Sequence, residues 1–160
     1  MSLIGTLWLY VMANSVAAFW ASFSVIFYVF VYSIWLKRTT PQNIVIGGIA
    51  GSTPPLVGWS ASERSLEIST DSLQSIFESV TEIGSMMPWL MFLIIFLWTP
   101  PHFWALALYK SKEYGEVGVP MMPNVKGRSR TILEMKIYSV ALMVVSLYAP
   151  IANGHLVDNE

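Results

Sequence analysis

The chain has 160 residues, 54% hydrophobic and 12% charged, far below the roughly one quarter charged residues of soluble domains. A formal net charge of -1 argues against a nucleic-acid partner, and the absence of cysteine excludes disulfides, thiolate metal sites and thiol catalysis. The composition is that of an integral membrane protein, and the pattern below reads as an all-α, polytopic transmembrane helical bundle forming one domain over residues 1–160.

Met1 to Leu36 carries no charge, which is longer than the ~20 residues one span needs. Asn14-Ser15 is the only polar dipeptide near its middle. A partial span over about 1–13, a turn, and a full span over about 17–36 are therefore expected. No positive segment opens the chain, as a signal peptide would require. Thr40-Pro41 then starts a helix, since threonine caps free N–H groups and proline suits the first helical position. The span expected there, about 42–60, is rich in Gly47, Gly48, Ala50, Gly51 and Ser52, which let backbones approach closely in lipid. Pro54-Pro55 kinks or ends it.

Residues 62–85 are acidic and serine-rich, with Ile68, Leu73, Ile76, Phe77 and Val80 at roughly helical spacing. They predict an amphipathic outer helix lying on the membrane or covering the bundle, with a substrate lid as the alternative. Apolar segments at about 87–109 and 131–151 complete the set. The expectation is about four full spans plus the partial N-terminal one, linked by loops at 37–41 and 110–130.

Lysine and arginine accumulate in cytoplasmic loops. Lys37, Arg38, Lys110, Lys112, Lys126, Arg128, Arg130 and Lys136 all fall in the two connections that alternation puts on one face, and only Arg64 falls on the other. The loops 37–41 and 110–130 are thus cytoplasmic, and the loop 62–85 faces outward.

The cytoplasmic face also collects Glu113 and Glu116 beside Lys110 and Lys112. Carboxylates three apart share a helix face. With Mg²⁺ they would suit a multiply charged diphosphate, which lysine and arginine would help neutralise. Ordinary solvated helix ends would look the same. Trp98, Phe103, Trp104, Tyr109 and Tyr114 fit either an interfacial aromatic belt or a pocket wall whose ring faces stabilise a cation. His102 follows Pro100 and Pro101 late in an apolar span, where an ionisable group is costly and seldom idle. Its imidazole could ligate iron or move a proton near pH 7, or bond a carbonyl that the prolines leave free. His155 sits in a polar tail and reads as incidental.

The run Tyr32 to Asn43 followed by Gly47-Gly48, the run Pro54 to Trp59, the block Trp98 to Ala107, and Gly118 to Pro123 with Val125, Lys126 and Gly127 occur in a fixed order. In these motifs the chain resembles the protohaem IX farnesyltransferases (haem O synthases), a branch of the UbiA-like membrane prenyltransferase superfamily, from about Leu3 to Tyr148. The resemblance implies a larger helical bundle, of which this chain would hold the middle, from the end of the third span to the seventh.

The implied reaction moves a farnesyl group from farnesyl diphosphate to a vinyl group of haem b, with water adding and diphosphate leaving. Haem b is then a substrate, Mg²⁺ the metal, and the lipid bilayer the setting, in a bacterial inner (plasma) or mitochondrial inner membrane. Haem A synthase and the missing portions of the same enzyme are implied partners. By the same resemblance Glu113 and Glu116 would hold Mg²⁺, Lys37, Arg38, Lys110 and Lys112 would balance diphosphate charge, and Asn43 would hydrogen-bond phosphate. Trp98, Phe103, Trp104 and Tyr109 would line the substrates, with His102, Glu113 and Tyr114 nearest the chemistry.

Two departures stand out. The family's first aspartate-rich motif lies upstream, and Met1 to Ser62 contains no Asp or Glu, so the chain alone is expected to be inactive. Where the family usually has aspartate before tyrosine, Lys112-Glu113-Tyr114 carries glutamate, which keeps the charge but reaches one methylene further. The outer loop is longer than usual for this branch and, facing away from the site, is expected to tolerate truncation. A prenyltransferase with a phenolic or quinone-precursor acceptor, and a non-catalytic membrane subunit or cofactor-binding bundle, are the rival readings.

Overall fold

A computed structural model describes residues 1–63 and 65–157, with side chains to Ile151. Arg64 and the side chain of His155 lie outside the described residues. All regular structure described is helical, and the chain is an integral membrane protein of helical-bundle type.

Helix α1 (Ser2–Met12) has no buried residue. Asn14 then turns the chain. Its backbone is extended and its Oδ1 accepts the Ala17 N–H at 2.8 Å, so α2 (Ser15–Ile26) starts two residues before the expected position. The helix widens without a break into a π-helical stretch, Phe27–Trp35, and tightens into a 3₁₀ turn, Leu36–Arg38. Together these form a 24-residue apolar rod.

The span expected over 42–60 is instead two nine-residue helices, α3 (Asn43–Gly51) and α4 (Pro54–Ser62). Pro54 and Pro55 have no N–H to extend the ladder of α3, and they suit the first turn of α4. Ser52 Oγ donates to Gly48 O at 2.7 Å and Thr53 Oγ1 to Ala50 O at 2.9 Å, satisfying carbonyls the break leaves open. Each piece is about 13 Å long, less than half of a hydrocarbon core. Among the described residues three helices are individually long and apolar enough to cross: Ser15–Arg38, Met87–Tyr109 and Met122–Ile151.

The segment 62–85 holds α5 (Leu73–Thr81), started by a reciprocal cap between Ser72 and Ser75. Its end covers the bundle, one of the two placements expected. Val80 and Ile83 are buried, Ile83 in a cluster with Val16 and Leu56. The indole N–H groups of Trp20 and Trp89 donate to Val80 O and Thr81 O, each at 3.1 Å. Truncation through this segment would uncover the bundle, so the expected tolerance does not extend to residues 80–83.

Helix α6 (Met87–Tyr109) runs through Pro100 and Pro101. The prolines leave Phe96 O and Leu97 O without their i+4 donors, a break that membrane helices tolerate through neighbouring helices; one step earlier Thr99 Oγ1 donates to Ile95 O at 2.7 Å. The segment read as a loop over 110–130 is largely helical. It contains α7 (Ser111–Glu116) and the first residues of α8 (Met122–Val157), whose helical path breaks at Gly127 (φ 79°). Gly118 (φ 69°) supplies the left-handed turn that ends α7. Helix α8 packs most extensively on α6, while α3 and α4 follow one another along α6.

Two buried clusters result. One, at the acidic end, gathers Val16, Leu56 and Ile83 under Trp20, Trp59, Trp89 and Phe92. The other gathers Ile44, Trp104, Ala107, Met121 and Met122 at the basic end.

Candidate functional site

A groove opens between the π-helical stretch, α3 and α6. Tyr28 and Tyr32 stand four residues apart with ring centroids 5.4 Å apart and planes tilted by 31°. Tyr32 lies directly over Gly47, where any side chain would collide with its ring. At Gly48 an added Cβ would meet Thr99 Cγ2 at 3.4 Å, an ordinary van der Waals contact, so α3 faces α6 closely here. The resulting cavity has a volume of about 390 Å³ and is lined by Tyr28, Tyr32, Gly47, Gly48, Trp98 and Phe103, with Ile44 at one end and Gly51 at the other. Such a lining suits a hydrocarbon chain.

The Ile44 end lies at the basic rim. Asn43, the first residue of α3, is buried and its Nδ2 donates to Lys37 O at 3.3 Å. Ile44 packs with Trp104, Ala107, Met121 and Met122, and Tyr114 packs against that cluster. The ends of the first rod, α3, α6 and α7 therefore converge, which brings Lys37 and Glu113 to the same end of the bundle. Lys37, Arg38, Lys112, Glu113 and Glu116 are all exposed there. Lys110 pairs with Glu113 at 3.1 Å on the surface.

Two polar atoms in this region are buried without a partner, Asn43 Oδ1 and Trp104 Nε1. Unpaired buried groups are uncommon and cost about 1–3 kcal/mol each. Asn43 thus retains an open acceptor beside the basic rim.

Among the described residues no three His, Cys, Asp or Glu side chains come together in a way that could hold a metal ion. Glu113 and Glu116 share one side of α7, and Tyr114, between them, turns into the core cluster. This donor set is too small for a protein-only cage; Mg²⁺ is ordinarily held by only one or two carboxylates together with substrate phosphates.

His102 is exposed on α6. Its ring stacks on Trp98 at 4.4 Å with planes 18° apart and meets Phe103 edge-on at 5.5 Å. Both of these aromatic neighbours line the groove.

Trp104 departs from its expected place on a pocket wall. It is completely buried, facing Tyr138 of α8 edge-on at 5.7 Å, because one step along the helix turns it about 100° from Phe103. Tyr109 is 87% exposed, past the groove. Tyr28, Ile95, Thr99 and Gly51 were absent from the expected site. The tyrosines four apart facing Gly47, Gly48 and Gly51 were the available signal, hidden by the π winding that sets their direction.

A family model described as the UbiA prenyltransferase family matches residues 1–157. A protein named protoheme IX farnesyltransferase from Parvibaculum lavamentivorans is 50% identical over 137 residues, covering 86% of this chain and 37% of that protein. Proteins of the same name from Gluconacetobacter diazotrophicus and Bartonella tribocorum are 44% and 45% identical, covering 92% and 96% of this chain and 41% and 43% of their own lengths. The chain thus spans about two-fifths of the length of the curated relatives it matches. No solved structure matches it.

Proposed function

This chain belongs to the UbiA prenyltransferase family, and from that membership we propose that it is the middle portion of a protohaem IX farnesyltransferase. The observation that carries the proposal is the aromatic, glycine-floored groove whose Ile44 end abuts the basic rim at Asn43 and Lys37. A hydrocarbon tail would lie in the groove, with its diphosphate at the rim.

In this reading Lys37, Arg38, Lys110 and Lys112 neutralise the diphosphate, so the farnesyl C–O bond can break with the electron pair leaving on oxygen. The faces of Tyr28, Tyr32 and Trp98 stabilise the allylic cation left behind, and the apolar walls keep water from it. A haem b vinyl group then attacks to form the new C–C bond. Water adds to the remaining cationic carbon and loses a proton. Glu113 and Glu116 would hold Mg²⁺, whose charge would further stabilise the leaving group when bound. The second N–H of Asn43 Nδ2, beyond the one given to Lys37 O, donates to the diphosphate, Tyr114 braces the short helix bearing both carboxylates, and His102 handles the haem or the released proton. The implied setting is a bacterial or mitochondrial inner membrane, with haem A synthase taking up the product.

The test has two arms. Equilibrium binding of radiolabelled farnesyl diphosphate to the chain in lipid nanodiscs should be saturable and Mg²⁺-dependent. Cells expressing the chain together with the missing portions of its relatives should accumulate haem O by mass spectrometry. Failure of both arms overturns the proposal.

A further inference from the structure

We propose that Gly51 gauges isoprenoid length, admitting the third five-carbon unit of a prenyl diphosphate; this rests on the groove being the isoprenoid site. The three glycines of α3 have different surroundings. Gly47 is covered by Tyr32 and Gly48 faces Thr99, but nothing lies within 4 Å of a Cβ built on Gly51. Helix packing therefore leaves Gly51 unexplained. Its backbone φ is not positive either, so no turn requires glycine at this position.

What Gly51 borders is a junction. The groove ends there, and a second cavity of about 460 Å³, lined by Ser24, Val25, Tyr28, Val29, Ala50 and Gly51, begins. The two cavities share Tyr28 and Gly51. Ser24 Oγ donates to Ala50 O at 3.0 Å and so ties α2 to α3 beside the opening, which fixes its width.

The lengths match. From Ile44 to Gly51 the groove follows seven helical steps, about 10 Å at ~1.5 Å per residue. An extended isoprene unit adds four chain bonds, about 5 Å at carbon–carbon lengths near 1.5 Å. Two units reach Gly51 from the rim, and a third must pass between Gly51 and Tyr28 into the second cavity. A side chain at position 51 closes that passage and leaves the first two units' space intact.

The test uses the full chain in lipid nanodiscs, with geranyl and farnesyl thiolodiphosphates as non-hydrolysable probes. Gly51→Leu is expected to lower the preference for the farnesyl over the geranyl probe by about tenfold or more, the scale on which pockets discriminate added carbons, with geranyl binding nearly unchanged. Gly51→Ala, the smaller and helix-favouring change, should lower it by about threefold and decides the matter if the leucine variant does not fold. Gly58→Leu is the control, because a Cβ there also meets nothing within 4 Å and α4 lies outside both cavities; it should leave the preference alone. Wild-type chain that binds both probes while the Gly51 variants keep its preference, or lose both probes equally, overturns the gauge and leaves the isoprenoid reading standing. Wild-type chain that binds neither probe overturns the isoprenoid reading and the gauge with it.

Discussion

At the acidic end of the bundle the buried Asn14 and the half-buried Trp20 and Trp89 direct their polar hydrogens to backbone carbonyls of other segments: Asn14 to Ser60 O and Glu63 O, Trp20 to Val80 O, Trp89 to Thr81 O. At the basic end Asn43 Oδ1 and Trp104 Nε1 are fully buried and have no partner. Ser60 Oγ is the acidic end's one such group among the described residues. The difference teaches that the acidic end is a clasp, closed within the chain, whereas the basic end holds two buried polar atoms that no described residue satisfies.

Substitutions at the two ends should therefore move different observables. Asn14→Ala removes the α2 cap and leaves two buried carbonyls bare, and should lower the unfolding free energy in detergent titration by about 3 kcal/mol, with prenyl diphosphate binding by the surviving folded fraction unaltered. Trp20→Phe, which loses the bond to Val80 O and some volume, should cost about 1–2 kcal/mol in the same assay. Asn43→Leu reverses the pattern. It removes an unpaired buried acceptor and one long hydrogen bond, so stability should change by less than about 1 kcal/mol, while loss of the second amide N–H, the donor to phosphate, lowers farnesyl diphosphate affinity by about tenfold. A large stability loss without a binding loss would make Asn43 another clasp residue and break the contrast. Glu113→Ala, which removes only a surface pair, should alter stability by under about 0.5 kcal/mol, and its signature should be the loss of Mg²⁺ dependence in binding.

How much of this could be read from residues alone follows the range of the interaction involved. Asn14-Ser15 is legible as a turn because one polar pair in an apolar run has few other uses, but its bonds to Ser60 and Glu63 span more than forty residues and leave no local mark. The shared end of Lys37 and Glu113 follows from charge alternation between apolar segments. Pro54-Pro55 marks a break in the chain, yet not that two short helices replace one span. Phe103 and Trp104 are neighbours of similar composition, and only the packing of α8 decides that one borders the groove and the other is entombed. The groove itself depends on where Tyr28 and Tyr32 point, and α-helical periodicity gives the wrong direction for a π-wound segment.

That winding has a further consequence. Each turn of the stretch Phe27–Trp35 accommodates more residues than an ordinary helical turn, so the segment behaves as though extra residues had been spliced into a standard helix. Deleting one residue while the wide winding persists turns everything downstream around the rod's axis by one residue step, somewhat less than the roughly 100° of an α-helix, carrying Lys37 and Arg38 away from Asn43. The azimuth of the cationic pair is thus encoded by residue count some ten positions earlier, and a single-codon deletion among apolar residues would disarm the rim without altering one of its charges.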